Sequence, residues 1–211
     1  MTAFLPFLFE AVLISLSGVL APGPITALAV ARGSRSPHAG AWIAMGHGIV
    51  EFPVMAGVFL GVGQLLQLPL IRPSINALGA AVLVYMGVSL LRLALRPTAQ
   101  GSADHRSPLA AGVLLTAANP YFLLWWATVG AALVMKSITF GLLGFVSFGL
   151  AHWLCDFGWC TLLSVVSHRG KRLLGGGFQR AVLLVCSFML FLFAGRMLVE
   201  VWNLVSARAG G

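Results

Sequence analysis

Leu20-Ala21-Pro22-Gly23-Pro24-Ile25 interrupts an apolar run that begins near Phe4. Proline removes a backbone donor and clashes with the preceding turn, and glycine loosens the chain further. A helix cannot pass through this stretch undisturbed. A counterpart, Ala118-Asn119-Pro120-Tyr121, lies in a second apolar run much later in the chain. In a water-soluble protein both would be ordinary turns. Here 59% of the 211 residues are hydrophobic and only 9% are charged, against roughly 25% charged in average globular domains. The mean hydropathy is +0.97. So little polar surface excludes a dissolved domain, and the two stretches become breaks in membrane-crossing helices.

Around them the sequence predicts an all-α polytopic membrane protein of six spans, at 4–30, 39–65, 75–93, 109–134, 138–165 and 182–201. Each is near the ~20 residues that cross hydrocarbon. The first span is interrupted at Pro22-Pro24 and the fourth at Asn119-Pro120. We expect one transporter domain, with a first repeat at 1–96, a linker at 97–108 and a second repeat at 109–211. Three spans per half force the halves into the membrane in opposite senses, as an inverted repeat requires. The initial segment has no basic leader or cleavage site and reads as a retained span.

The formal charge of +8 would suit nucleic acid, but the basic residues fall between apolar segments. That placement points to topology and anionic lipid, with no nucleic-acid partner. Loops one, three and five hold nine Lys and Arg and the other side holds four, which puts those loops in the cytoplasm and both termini outside. Cys155, Cys160 and Cys186 have no metal-like or paired spacing. No serine, cysteine or zinc constellation stands at catalytic spacing, and no base can be assigned to Ser15 or Ser17. The reading therefore calls for neither an enzyme nor a cofactor.

Ionisable groups inside spans are costly and face cavities or helix interfaces. His47 and Glu51 lie one turn apart in the second span, and His152 and Asp156 repeat the pattern in the fifth. Imidazole beside carboxylate makes a proton-coupling site, because histidine titrates near physiological pH. The same four residues suit a divalent metal ion, or a structural hydrogen-bonded pair. Freed backbone at the breaks must be satisfied inside the protein or at a water-filled cavity, and helix ends there suit charged substrate groups. Candidate substrate residues are Pro22, Gly23, Pro24, Asn119, Pro120, Tyr121, Trp125 and Trp126. Asn119 is equally suited to capping the helix after the break.

Ala21-Pro22-Gly23-Pro24, Gly46-His47-Gly48 leading to Glu51, and Ala118-Asn119-Pro120 resemble the LysE family of amino-acid exporters over nearly the whole chain. The resemblance implies a secondary exporter of amino acids or related small metabolites, a homodimer in a prokaryotic inner membrane. The family commonly has Asp where this chain has Glu51, and Lys where it has Tyr121; the second departure leaves the substrate open. Related families handle metal ions. A divalent-metal exporter and a non-transporting membrane assembly protein therefore stand as alternatives.

Overall fold

The computed structural model describes residues 3–61, 68, 71–95, 107–174 and 176–209, and every described element is helical. Helix α1 (Phe4–Val19) ends at the first break, and α2 (Pro24–Gly33) leaves it at 76° to α1. Pro24 starts α2 at a position where its missing N–H costs nothing. Then come α3 (Ala39–Phe59) and α4 (Ile71–Leu95). The second broken segment consists of α5 (Pro108–Ala117), α6 (Pro120–Trp125), a π-helical turn (Trp126–Gly130) and α7 (Ala131–Ile138). The chain closes with α8 (Gly141–Leu174) and α9 (Gly176–Ala209). Gly61 and Gly141 take positive φ where α3 ends and α8 begins, a conformation other residues rarely adopt.

Among the described residues five helical stretches are long and apolar enough to cross a membrane, and six if the bent α1–α2 pair is one span. The fourth expected span differs in form. Its break does not halve one span. It separates the ten-residue α5 from Pro120–Ile138, which is long enough to cross by itself. The cause is local: the Asn119 side chain accepts from the Tyr121 N–H and Pro120 occupies the first helical position, which together start a new helix. α3 ends at Phe59, positions 62–65 of the expected second span lie outside the described residues, and α8 and α9 run longer than expected. Nearly all of the expected linker lies outside the described residues.

Helices α4 and α9 form one closely paired unit around Leu83, Leu190 and Ala194. The others gather on α3 and α8, with Phe7, Met55, Trp126 and Phe148 in their largest cluster. Glycine permits the tight crossings. A Cβ on Gly40 would run into the Cys160 carbonyl of α8, and one on Gly112 into the Ile43 carbonyl of α3. Close backbone approach of this kind is how helices pack without a hydrophobic effect between them. Hydroxyls fasten the far end of α2 to α8: Ser164 donates to the Ala29 carbonyl at 3.0 Å and Ser167 to the Val30 carbonyl at 2.7 Å.

Candidate functional site

The one-turn spacing puts His47 and Glu51 on one face of α3, and His152 and Asp156 on one face of α8. The two helices pack together, and the four side chains meet between them. Glu51 Oε1 stands 3.2 Å from His47 Nε2 and 3.1 Å from His152 Nε2. Asp156 reaches His47 Nε2 at 3.7 Å through Oδ1 and His152 Nε2 at 3.6 Å through Oδ2. All four are buried, Glu51 completely. A buried charge is tolerable only when paired, and each acid here faces two bases.

The other ring nitrogen of each histidine is held by a hydroxyl from the opposite half of the chain. His47 Nδ1 lies 2.8 Å from Thr116 Oγ1 on α5, and His152 Nδ1 lies 2.7 Å from Ser15 Oγ on α1. Thr116 Oγ1 also donates to the Gly112 carbonyl at 2.8 Å. Its one proton is thereby used, so it accepts from His47 Nδ1–H. With Nδ1 protonated, one further proton must sit between His47 Nε2 and Glu51 Oε1. It rides on the ring, giving imidazolium and carboxylate, or on the carboxyl, giving a neutral pair. Without it a lone pair would face a carboxylate in a buried site. The arrangement can hold and release that proton with little movement of heavy atoms.

Aromatic rings close over the histidines. Trp125 stacks on His152 with centroids 4.9 Å apart, and Trp126 meets the same ring edge-on at 5.1 Å. Phe122 stands edge-on to His47 at 5.2 Å. Gly18 makes room for the first of these, since a Cβ there would come within 2.7 Å of the Trp125 indole nitrogen.

Beside the cluster is a cavity of about 90 Å³. Pro22, Gly23 and Pro24 border it from the first break, and Asn119, Tyr121, Trp125 and Trp126 from the second. His47, Glu51, His152 and Asp156 border it as well, so both breaks and both acid–histidine pairs share one space. Pro120 is the exception among the expected substrate residues. It does not border the cavity: it is buried, with its ring against Gly79 of α4, because as the first residue of α6 it points toward that helix. Leu190 and Phe193 border the cavity without any signal in the sequence, and Trp159, which reads from sequence as an interfacial anchor, borders it too. Ser15 and Thr116 also went unassigned; their only signal was a hydroxyl ahead of each break. Trp153 reads from sequence as an interfacial anchor, yet its indole donates to the Ala44 carbonyl at 3.1 Å and ties α8 to α3. His47, Glu51 and Asp156 each offer one donor atom within 4.8 Å of the others, a set of the kind that holds divalent metals.

Residues 16–201 match the LysE type translocator family. The chain belongs to the LysE family. LysE-type translocators are transporters and not enzymes, and this chain is a multi-pass inner-membrane protein. It is similar to the "Putative amino acid efflux protein YcgF" of Bacillus subtilis (strain 168), with 25% identity over 120 residues. That alignment covers 54% of this chain and 57% of the relative, little more than half of either. No solved structure matches.

Proposed function

We propose that this LysE-family chain is a secondary exporter of amino acids or related small metabolites, driven by proton entry. The observation that carries the reading is the position of Glu51 Oε1, within hydrogen-bonding distance of both histidines at the wall of a cavity framed by two helix breaks. A group that can carry a proton beside a substrate space is what coupling requires. The description of the Bacillus relative as an amino acid efflux protein supports the cargo class.

The halves act as inverted three-helix repeats in this reading. Support comes from the crossed anchoring: the first half's Ser15 holds the second half's His152, and the second half's Thr116 holds the first half's His47. A displacement of one half against the other would strain both hydroxyl contacts together. The chain works as a homodimer with both termini outside.

Full-length protein in liposomes, loaded with a panel of labelled amino acids, should show counterflow, and a pH gradient should drive net movement. Glu51→Gln should keep counterflow and lose at least tenfold of the gradient-driven rate. No counterflow across the panel overturns the reading, as does undiminished gradient drive in E51Q. A second reading rests on the three convergent donors: export of a divalent cation. Zinc or manganese flux in the same liposomes, in the absence of amino-acid counterflow, would establish it.

A further inference from the structure

The two breaks present helix N-termini to the cavity in different chemical states. At the second, Asn119 Oδ1 accepts from the Tyr121 N–H at 3.1 Å, so the first free amide of that helix is already occupied. At the first, Gly23 is the N-cap and no side chain caps α2. Pro24 has no amide hydrogen, and the first bond of α2 runs from the Ala27 N–H to the Gly23 carbonyl. The Ile25 and Thr26 amides therefore have no helical partner. Both residues border the cavity.

Glycine is not needed at position 23 for shape. Its φ of −154° and ψ of −168° are extended backbone open to any residue. A Cβ there would meet only the Ala21 carbonyl, at 3.9 Å. Asn, Asp and Ser are the preferred caps, and any of them has room. What the glycine does provide is a pair of unfilled donors at the positive end of a ten-residue helix.

A second observation points to a ligand. Asp156 is 8% exposed and borders the cavity, and its Oδ2 receives no hydrogen bond. Amide donors at one place and a carboxylate oxygen without a hydrogen bond at another match the two charges of an amino-acid zwitterion. Part of the remaining wall is apolar, with Val19, Phe122, Leu190 and Phe193. Leu190 and Phe193 come from α9, which packs chiefly on α4, whereas Glu51 is carried by α3 and Asp156 by α8, and Tyr121 stacks on Phe193 at 4.6 Å.

Resting on the amino-acid reading above, we propose that the Ile25 and Thr26 amides take the substrate's α-carboxylate and Asp156 takes its ammonium. The side chain lies against Leu190, Phe193 and Tyr121, so the cargo is an apolar amino acid of leucine's class. Among the described residues no Lys or Arg borders the cavity to receive an acidic side chain, and the other carboxylate at its wall, Glu51, is already held between His47 and His152 at 3.2 and 3.1 Å.

Calorimetric titration of the full-length protein, alongside counterflow, tests this with four probes besides L-leucine. Isopentylamine lacks the carboxylate, 4-methylpentanoate lacks the ammonium, and L-lysine and L-glutamate change the side chain. Leucine should bind at least tenfold more tightly than each. Gly23→Asp fills the amides with the chain's own carboxylate. It should weaken leucine at least tenfold, leave isopentylamine unchanged and not lower the Tm. Gly23→Asn, a neutral cap, should act in the same direction and decides the matter if G23D fails to fold. Asp156→Asn should weaken leucine and spare 4-methylpentanoate. Unchanged leucine binding in both Gly23 variants overturns the carboxylate assignment, and lysine or glutamate binding as tightly as leucine overturns the side-chain assignment. Counterflow of other amino acids without leucine sinks this inference and leaves the exporter standing. Counterflow of none removes both.

Discussion

The breaks at Pro22-Gly23-Pro24 and Asn119-Pro120 face one cavity and are built for different work. The first bends the chain by 76° and leaves its following helix uncapped. The second is capped by Asn119, runs into a π-helical turn and delivers Trp125 and Trp126 onto His152. One break exposes backbone and the other places side chains. Similar interruptions at two places in a chain therefore do not imply similar chemistry. Two similar interruptions can divide a site between a polar cradle and an aromatic cover, provided only one of them caps its own helix with a side chain.

The strongest way to break the comparison is to straighten the first interruption. Replacing Pro22, Gly23 and Pro24 together with alanine removes both helix-breaking rings and favours a continuous helix from α1 into α2. Transport should fall to background in the liposome assay, while the protein still inserts and purifies. The Asn119→Ala change at the other break removes one cap, costing about 1 kcal/mol, and should leave measurable counterflow. Comparable activity in the two variants would show that the bend at Gly23 is incidental.

How much of this could be read from the chain follows from the same contrast. Proline and glycine act on their own backbone, so both breaks were legible, as were the acid–histidine pairs, whose spacing alone sets a shared face. The form of the fourth span is harder to read, because Asn119 and Pro120 are a helix start as much as a helix stop. Ser15 and Thr116 were not legible as histidine partners. A hydroxyl in an apolar helix ordinarily bonds its own preceding turn, as Thr116 does with Gly112, and the rings they hold come from the other half of the chain. The α4–α9 pairing and the cavity wall of Leu190 and Phe193 were hidden for another reason. In lipid both the packed and the exposed faces of a helix are apolar, so no periodicity marks the buried one.

The crossed hydroxyls sharpen the comparison at a smaller scale. Thr116→Ala leaves His47 Nδ1–H without an acceptor in a buried site. The expected loss of stability is about 1 kcal/mol, between the ~0.6 typical of membrane hydrogen bonds and the 1–3 of an orphaned buried donor. Ser15→Ala should cost a similar amount. Function should separate them. Thr116 fixes which nitrogen of His47 carries a proton, whereas among the described residues Ser15 makes no second hydrogen bond to impose this on His152. T116A should therefore lower the ratio of gradient-driven transport to counterflow, and S15A should lower both together. Equal ratios would remove the assigned difference between the halves.

The smallest effect lies where the two broken segments touch. Glu10 of α1 and Lys136 of α7 pair at 2.6 Å, with each side chain about half exposed. The pair joins the helix before the first break to the one that closes the second broken segment. Half-exposed ion pairs are worth about 0.2–1 kcal/mol, so Glu10→Lys should cost less than 1 kcal/mol, and the double reversal E10K/K136E should recover most of it. A thermal-melt double-mutant cycle in detergent measures the coupling directly. If the pair only adds stability, counterflow will not change in any of the three variants. If it holds the two segments in one state of the proposed transport cycle, either single reversal will change the counterflow rate by more than its stability cost accounts for. Restoration of that rate in the double variant would then assign the effect to the contact between the segments and not to either charge alone.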